Sequence, residues 1–263
     1  MKVIQYIYFF LALSAGTAAN AQHALFSRSG IITYDKTMYM KNIVAKQFIE
    51  KADDRSRPQF ESMLPRIPQQ VVLKKTLKFN DTETLFEPVK SDLDVQTQQL
   101  IMMFALDLDA VTLSNLRTGD YKRYNDLIGE KIIIQDTVKK VKWRITDEYR
   151  DIAGFNCRRA NGLTPDSVYV VAYFTPELPV SGGPESISGL PGMILGLVVP
   201  SQHVSYFANK VERTGSVAMD RKVFENKKTK VMSRQQMIDQ FSATLSDWLN
   251  KETVSYLMKL GTL

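Results

Sequence analysis

The feature that most limits the folds open to this chain is a series of short segments in which apolar and polar residues alternate, each closed by turn formers. Ile32, Tyr34, Met38 and Met40 fall at even spacing between Gly30 and Lys41, the period of a half-buried strand. Val71, Leu73, Leu77 and Phe79 repeat the pattern; Asn80-Asp81 interrupts it and Thr84-Leu85-Phe86 resumes it, which predicts a hairpin. Ile132 to Gln135, Lys142 to Asp147 and Ser167 to Phe174 are further short runs rich in β-branched or aromatic residues. Strand follows strand without regular helices between them, so the expectation is a mainly β fold with some α: a curved antiparallel sheet or an open barrel, not a parallel α/β layout.

Two stretches depart from the alternation. Ile43, Val44, Phe48 and Ile49 recur at helical spacing before the charged run Glu50 to Arg57, so Asn42 to Leu64 reads as a helical or poorly ordered excursion from the sheet. Near the end, Ser233 is placed to cap a helix that carries Met237, Phe241, Leu245, Trp248 and Leu249 on one face. This amphipathic helix is expected to cover the sheet. Asp92 to Leu108 fits strand and helix equally.

The chain opens with Lys2, an apolar run Val3 to Ala15 and the small-residue stretch ending Ala19-Asn20-Ala21, the layout of a cleaved secretory signal. The expectation is a signal over 1–21 and a single domain over 22–263, exported to the periplasm or the exterior. The mature chain contains no apolar run of about 20 residues, the length of a transmembrane helix. A formal charge of +6 is spread along the sequence with no basic arm or reader motif, so nucleic acid is not an expected partner. Cys157 is the only cysteine; the fold is built without an internal disulfide, and Cys157 reads as a small buried hydrophobe.

Residues able to carry chemistry are sparse. There are two histidines, and His23 sits beside the expected new N-terminus, which leaves His203 as the one candidate base for a nucleophile. Ser181 and Ser188 lie beside glycines but not in a G-x-S-x-G elbow. Two histidines and one cysteine do not make a zinc set, Asp107 and Asp109 lack a calcium loop, and the pairs Met38/Met40 and Met102/Met103 read as core filler before copper ligands. Asp147-Glu148 and Glu177 read as exposed carboxylates at strand ends. No catalytic residue, cofactor or metal ion is assigned.

The most distinctive stretch is SGGPESISGLPGMILGLVVP, Ser181 to Pro200. Leu190-Pro191-Gly192-Met193 fits a type II turn, with proline presetting one φ and glycine accepting a positive one. Met193 to Val199 then reads as a buried strand, with Gly196 marking a bulge or a close backbone approach. Ser181 to Ser188 reads as a polar, glycine-rich connector free to be mobile or to form a binding lip, and Thr175 to Pro179 as an irregular extended segment.

Taken as a unit, the motifs are Trp143-x-Ile145-x-Asp147-Glu148, Gly154-Phe155-x-Cys157-x-x-Ala160, Ala172-Tyr173-Phe-Thr-Pro176-Glu-Leu-Pro179, Gly183-Pro184 and Gly189-Leu190-Pro191-Gly192-Met193-Ile194. In this order they resemble the GLPGLI family of exported Bacteroidetes proteins. Met193 stands where that family has leucine, and Ala172 where a tryptophan is expected; both keep an apolar residue. The resemblance implies a secreted or periplasmic protein of uncertain function with no agreed catalytic residues, and marks these motif positions as structural. Three functional readings follow: a noncatalytic binding protein for an apolar ligand or peptide, a hydrolase of envelope polymers or peptides using His203 or Asp147-Glu148, and an assembly factor that pairs a sheet edge with an outer-membrane protein. The absence of a nucleophile or metal set favours binding or assembly.

Overall fold

The computed structural model describes residues 28–90, 92–106, 109–127 and 129–263; the expected signal segment, His23 and Asp107 lie outside these. Alternation becomes structure directly in β1 (Gly30–Met38), where every second side chain is buried. The predicted hairpin from β2 (Val71–Phe79) to β3 (Glu83–Pro88) forms because Asn80 Oδ1 accepts the backbone N–H groups of Thr82 and Glu83, the local side-chain turn that asparagine favours.

From β1 the chain builds outward through β2, β3, β4 (Val111–Asn115), β5 (Asp120–Leu127) and β6 (Glu130–Thr137). It then crosses to the far edge at β7 (Lys142–Ile152) and works back through β8 (Phe155–Leu163), β9 (Tyr169–Thr175) and β10 (Met193–Val199) to β11 (Val204–Arg213). There it meets β1, which lies mid-sheet, antiparallel to β2 on one side and to β11 on the other. With the short β12 (Lys230–Met232), twelve strands make one open sheet in the order β12-β6-β5-β4-β3-β2-β1-β11-β10-β9-β8-β7. Each neighbouring pair is antiparallel except β12, which lies parallel to β6. The protein is mainly β, as the alternation predicts.

Between β1 and β2 the chain forms the expected helical excursion: α1 (Met40–Ile43), continued by a wide π-type turn Val44–Ile49, and then α2 (Arg57–Met63). Met40 therefore lies in a helix and does not share a strand face with Met38, although both are fully buried. The ambiguous stretch is α3 (Val95–Met103), started by Asp94, whose carboxylate accepts the N–H of Thr97. Phe104, just beyond it, packs edge-on against Phe48 of the π turn at 4.7 Å.

After the short α4 (Lys222–Glu225), two helices finish the chain. Ser233 starts α5 (Arg234–Ser246) with a reciprocal capping box: its Oγ accepts from Gln236 N and its own N–H donates to the Gln236 side chain, worth about 1 kcal/mol. Met237 and Phe241 are buried as expected, but Trp248 is 83 % exposed because the helix ends at Ser246 and the chain turns before Trp248 can join the apolar stripe. A second helix, α6 (Lys251–Gly261), starts at Asn250 and buries Tyr256, Leu257 and Leu260. It is tied to the π turn by Thr253, whose hydroxyl donates to the Gln47 carbonyl at 2.7 Å. No helix among the described residues is long and apolar enough to cross a membrane.

Candidate functional site

The glycine-rich run before β10 is buried from Gly182 to Ile187, which corrects the expectation of a mobile connector. Two ladder-like bonds zip this run and the Leu178 that precedes it to β10: Met193 N–H donates to Leu178 O at 3.0 Å and Ile194 N–H to Gly182 O at 2.9 Å. Small residues make this possible. A Cβ on Gly182 would stand 2.9 Å from Thr84 Cγ2, and one on Gly183 2.8 Å from Ile194 Cβ. Pro184 beside them is buried as well.

The signature turn also differs from the expected type. Leu190 O accepts from Gly192 N–H at 2.8 Å, a three-residue γ-type closure around Pro191, and the N–H of Met193 is committed to Leu178 instead of closing a type II turn. Gly192 does take a positive φ, +145°, but its chief constraint is proximity: a Cβ there would lie 2.1 Å from Thr175 O. Past the turn, Leu190, Met193, Ile194, Leu195, Leu197 and Val199 are buried. The register with β9 slips between Ile194 and Gly196, which places the expected bulge. The carbonyl of Ile194 accepts the Tyr34 hydroxyl at 2.6 Å, so the bulge is pinned to the central strand.

Under this connector lies an ionic centre that sequence reading missed. Glu185, with a left-handed φ of +58°, places its carboxylate against Arg123 of β5 at 2.5 Å, accepts the Tyr206 hydroxyl of β11 at 2.9 Å, and stands 4.0 Å from Lys36 of β1. All four side chains are buried. Arg123 is further oriented by Thr112 Oγ1 and Asn125 Oδ1, each at 3.3 Å. Burial pushes the Glu185 carboxyl up, but Arg123, Lys36 and Lys75 outweigh it and hold the group below the usual carboxylate range. Buried charge of this kind fixes geometry more than it adds stability. Here it locks the connector to strands from both halves of the sheet. A glutamate in a glycine-rich polar run carries no sequence signal of this role.

The other motif positions fall around that lock. Trp143 of β7 donates its indole N–H to Ser188 O at 2.9 Å, and its ring covers Gly162 and Gly189, where a Cβ would be 2.5 Å and 3.4 Å away. Gly154 follows Ala153 in the two-residue turn from β7 to β8, both with φ positive, the primed geometry that matches strand twist. Cys157 is fully buried and its thiol is pushed up to about 12 by burial, with Asp151 and Glu177 adding. Tyr173 is half-buried against Phe207, with the Arg150 guanidinium near its ring. Pro176 and Pro179 flank the buried Leu178 on the outside.

The candidate catalytic groups are not brought together. Asp147 and Glu148 are exposed on β7, each paired across the hairpin with its own arginine, Arg158 at 2.7 Å and Arg159 at 2.6 Å. His203 ends a short 3-10 turn with φ +53°. Its carbonyl accepts Tyr39 N–H, and burial, followed by Lys46, lowers its imidazole pKa. Ser181 Oγ accepts from Gly189 N–H at 3.0 Å. Among the described residues, no group of three or more His, Cys, Asp or Glu is placed to hold a metal ion.

Open concavity lies elsewhere, between α5 and α6. There a groove of about 670 Å³ has an apolar floor of Ile238, Leu249, Val254 and Met258. On α6 its lining recurs at 251, 254, 255, 258 and 259, and continues at Thr262 just past the helix, the stripe of one helix face. On α5 the stripe is Ile238, Ser242, Ser246; the two serines are too small to fill the valley between the helices. The volume falls in the range of small-molecule sites, roughly 300–1,000 Å³.

The two sheet edges carry devices that discourage pairing. β12 has three residues. β7 is bulged between Ile145 and Tyr149 and bristles with Arg144, Asp147, Glu148, Arg150 and Asp151.

Comparison with known proteins adds fold and little more. Residues 162–196 match the model of a Bacteroidetes-type family described as "Protein of unknown function (Porph_ging)"; these residues run from β8 through the connector to the bulge of β10. No curated protein matches this chain. Among solved structures, PNGF-II in a C2 crystal form is 18 % identical over 80 % of this chain and 32 % of its own, with a TM-score of 0.51. Its P21 form is 18 % identical over 85 % and 33 %, with a TM-score of 0.48. An uncharacterized conserved protein from Thermus thermophilus is 11 % identical over 84 % and 99 %, with a TM-score of 0.37. The chain thus spans about a third of the length of PNGF-II. The C2 likeness, at this identity, extends to fold alone.

Proposed function

We propose that this chain is a noncatalytic, exported binding protein of the GLPGLI type that holds an apolar ligand in the groove between α5 and α6. The observation that carries the reading is the groove itself: apolar side chains line its floor, and serines keep it from closing. Apolar surface left open to water is costly, and concave apolar surface is where ligands gain most from burial. Several features direct attention to the groove rather than the sheet. Cys157, Met193 and the Glu185 centre are buried, so they serve packing and are not on offer to a ligand. The charged, bulged β7 weighs against assembly by strand addition.

The test is native mass spectrometry on protein recovered from its own envelope, beside a Ser242→Leu variant whose larger side chain fills the valley. The expected result is a bound apolar molecule on the wild type that is lost from the variant. An empty wild type, or a variant that keeps the ligand, would sink the reading.

A further inference from the structure

The groove is not electrically neutral. Its lining includes two lysines, Lys251 at the start of α6 and Lys259 two turns on, and one carboxylate, Asp166. Asp166 is already engaged: Lys139 lies 3.0 Å from it and also donates to Thr262 Oγ1 at 3.2 Å. Neither Lys251 nor Lys259 takes part in an ion pair or side-chain hydrogen bond among the described residues. The groove therefore presents uncompensated positive charge on an apolar trough.

The geometry points to a long-chain carboxylate, a fatty-acid-like anion, as the ligand class. This deepens the binding reading above and rests on it. Position along the trough distinguishes the two lysines. Lys259 is three residues from Thr262, at the end where Asp166 sits, and a carboxylate seated there would face another. Lys251 is exposed at the opposite end, next to Asn250 and Leu249 and close in sequence to the exposed Trp248. Asn250 is already engaged at both ends of its side chain, its amide donating to Lys51 O and its Oδ1 accepting Thr253 N–H, and it carries no charge to attract an anion. Lys251 is thus the seat for the headgroup. The tail then runs over Val254 and Met258 toward Ile238, along a stripe of about 16 Å at 1.5 Å per residue. Lys259 adds longer-range attraction from the far end.

Calorimetric titration of the full chain with hexadecanoate, hexadecanol and hexadecyltrimethylammonium, each below its aggregation threshold, tests the assignment. The expected order of affinity is hexadecanoate first, hexadecanol next and the cation last. Lys251→Gln should weaken hexadecanoate by about five-fold, the size of one exposed charge contact, and leave hexadecanol unchanged. Lys259→Gln should weaken hexadecanoate by about two-fold. Equal affinity for hexadecanoate and hexadecanol, or indifference of hexadecanoate to Lys251→Gln, overturns the carboxylate assignment while the groove stands as an apolar site. Failure of all three probes to bind overturns the groove reading as well. Because both lysines lie on the surface, thermal melting of each variant should match the wild type, which separates lost binding from lost fold.

Discussion

Replacing Gly192 by alanine adds a single methyl group at the most crowded glycine of the signature turn. The new Cβ would lie 2.1 Å from Thr175 O, 2.7 Å from Thr175 C and 3.0 Å from Pro176 Cα. Ordinary contact begins at 3.4 Å, so the closest approach is short by well over an ångström, and every atom in the way is backbone. None can swing aside, since Thr175 is buried and pairs with Met193 in the ladder between β9 and β10. Overpacking of this kind costs about 1–3 kcal/mol. A side chain forced to φ +145° adds about 1–3 kcal/mol more. A total of about 2–6 kcal/mol, at roughly 2–4 °C per kcal/mol for a domain of this size, lowers the melting temperature by about 4–24 °C. Circular dichroism melts of wild type, Gly192→Ala and Gly215→Ala provide the comparison. Gly215 has nothing within 4 Å of an added Cβ and no positive φ, so its variant should melt with the wild type. If Gly192→Ala also melts within about 2 °C of the wild type, the close-approach argument is wrong and the turn is free to serve some other purpose. Gly192→Val, larger still, should lose at least as much as alanine.

Two further outcomes follow from the buried groups. Glu185→Gln removes the anion facing Arg123 and Lys36 and should destabilise the fold by about 3–5 kcal/mol in urea titration, since it leaves buried cations undercompensated; a loss below about 1 kcal/mol would refute the ionic lock. The Glu185 carboxyl titrates lower in the folded than in the unfolded chain, so its contribution is complete above the unfolded value near pH ~4.3 and fades as pH falls through the lower folded one. Wild-type stability should therefore drop more steeply with acid below about pH 4 than that of Glu185→Gln, and parallel curves would contradict this. Cys157, its thiol pushed up to about 12 by burial, should resist an aromatic disulfide reagent at pH 8 in the native protein and react at once in denaturant. Prompt native reaction would mean that the site opens.

How much of the protein is legible in its residues depends on how local the cause is. Alternation alone places β1, β2 and β3, because side chains in a strand point to opposite faces every second residue whatever the strand later pairs with; β10 is read instead from its continuous apolar run after the turn. Asn80 and Ser233 announce their turn and cap for the same reason: the bonds they make reach only three residues along the chain. β7 and β8 are only partly visible. Their turn is Ala153-Gly154, and an alanine with positive φ is held there by the hairpin, not by its own preference. Trp248 belongs to the apolar stripe by spacing, yet it is exposed because α5 stops short of it.

The candidate sites were decided almost wholly by tertiary structure. Glu185 gains its meaning from Lys36, Arg123 and Tyr206, which lie on three different strands, and a polar residue among glycines is otherwise the usual sign of a solvated loop. The serine spacing on α5 and the lysine spacing on α6 can each be read from the sequence, but a groove exists only where the two stripes face each other. The sequence by itself therefore determined a mainly β chain, a buried strand after the Gly189-to-Met193 turn and a capped helix near the end, all consequences of periodicity and local hydrogen bonding. The ionic lock, the close approach at Gly192 and the lysine-rimmed trough were left to the tertiary fold, because each depends on atoms that only long-range packing brings within contact.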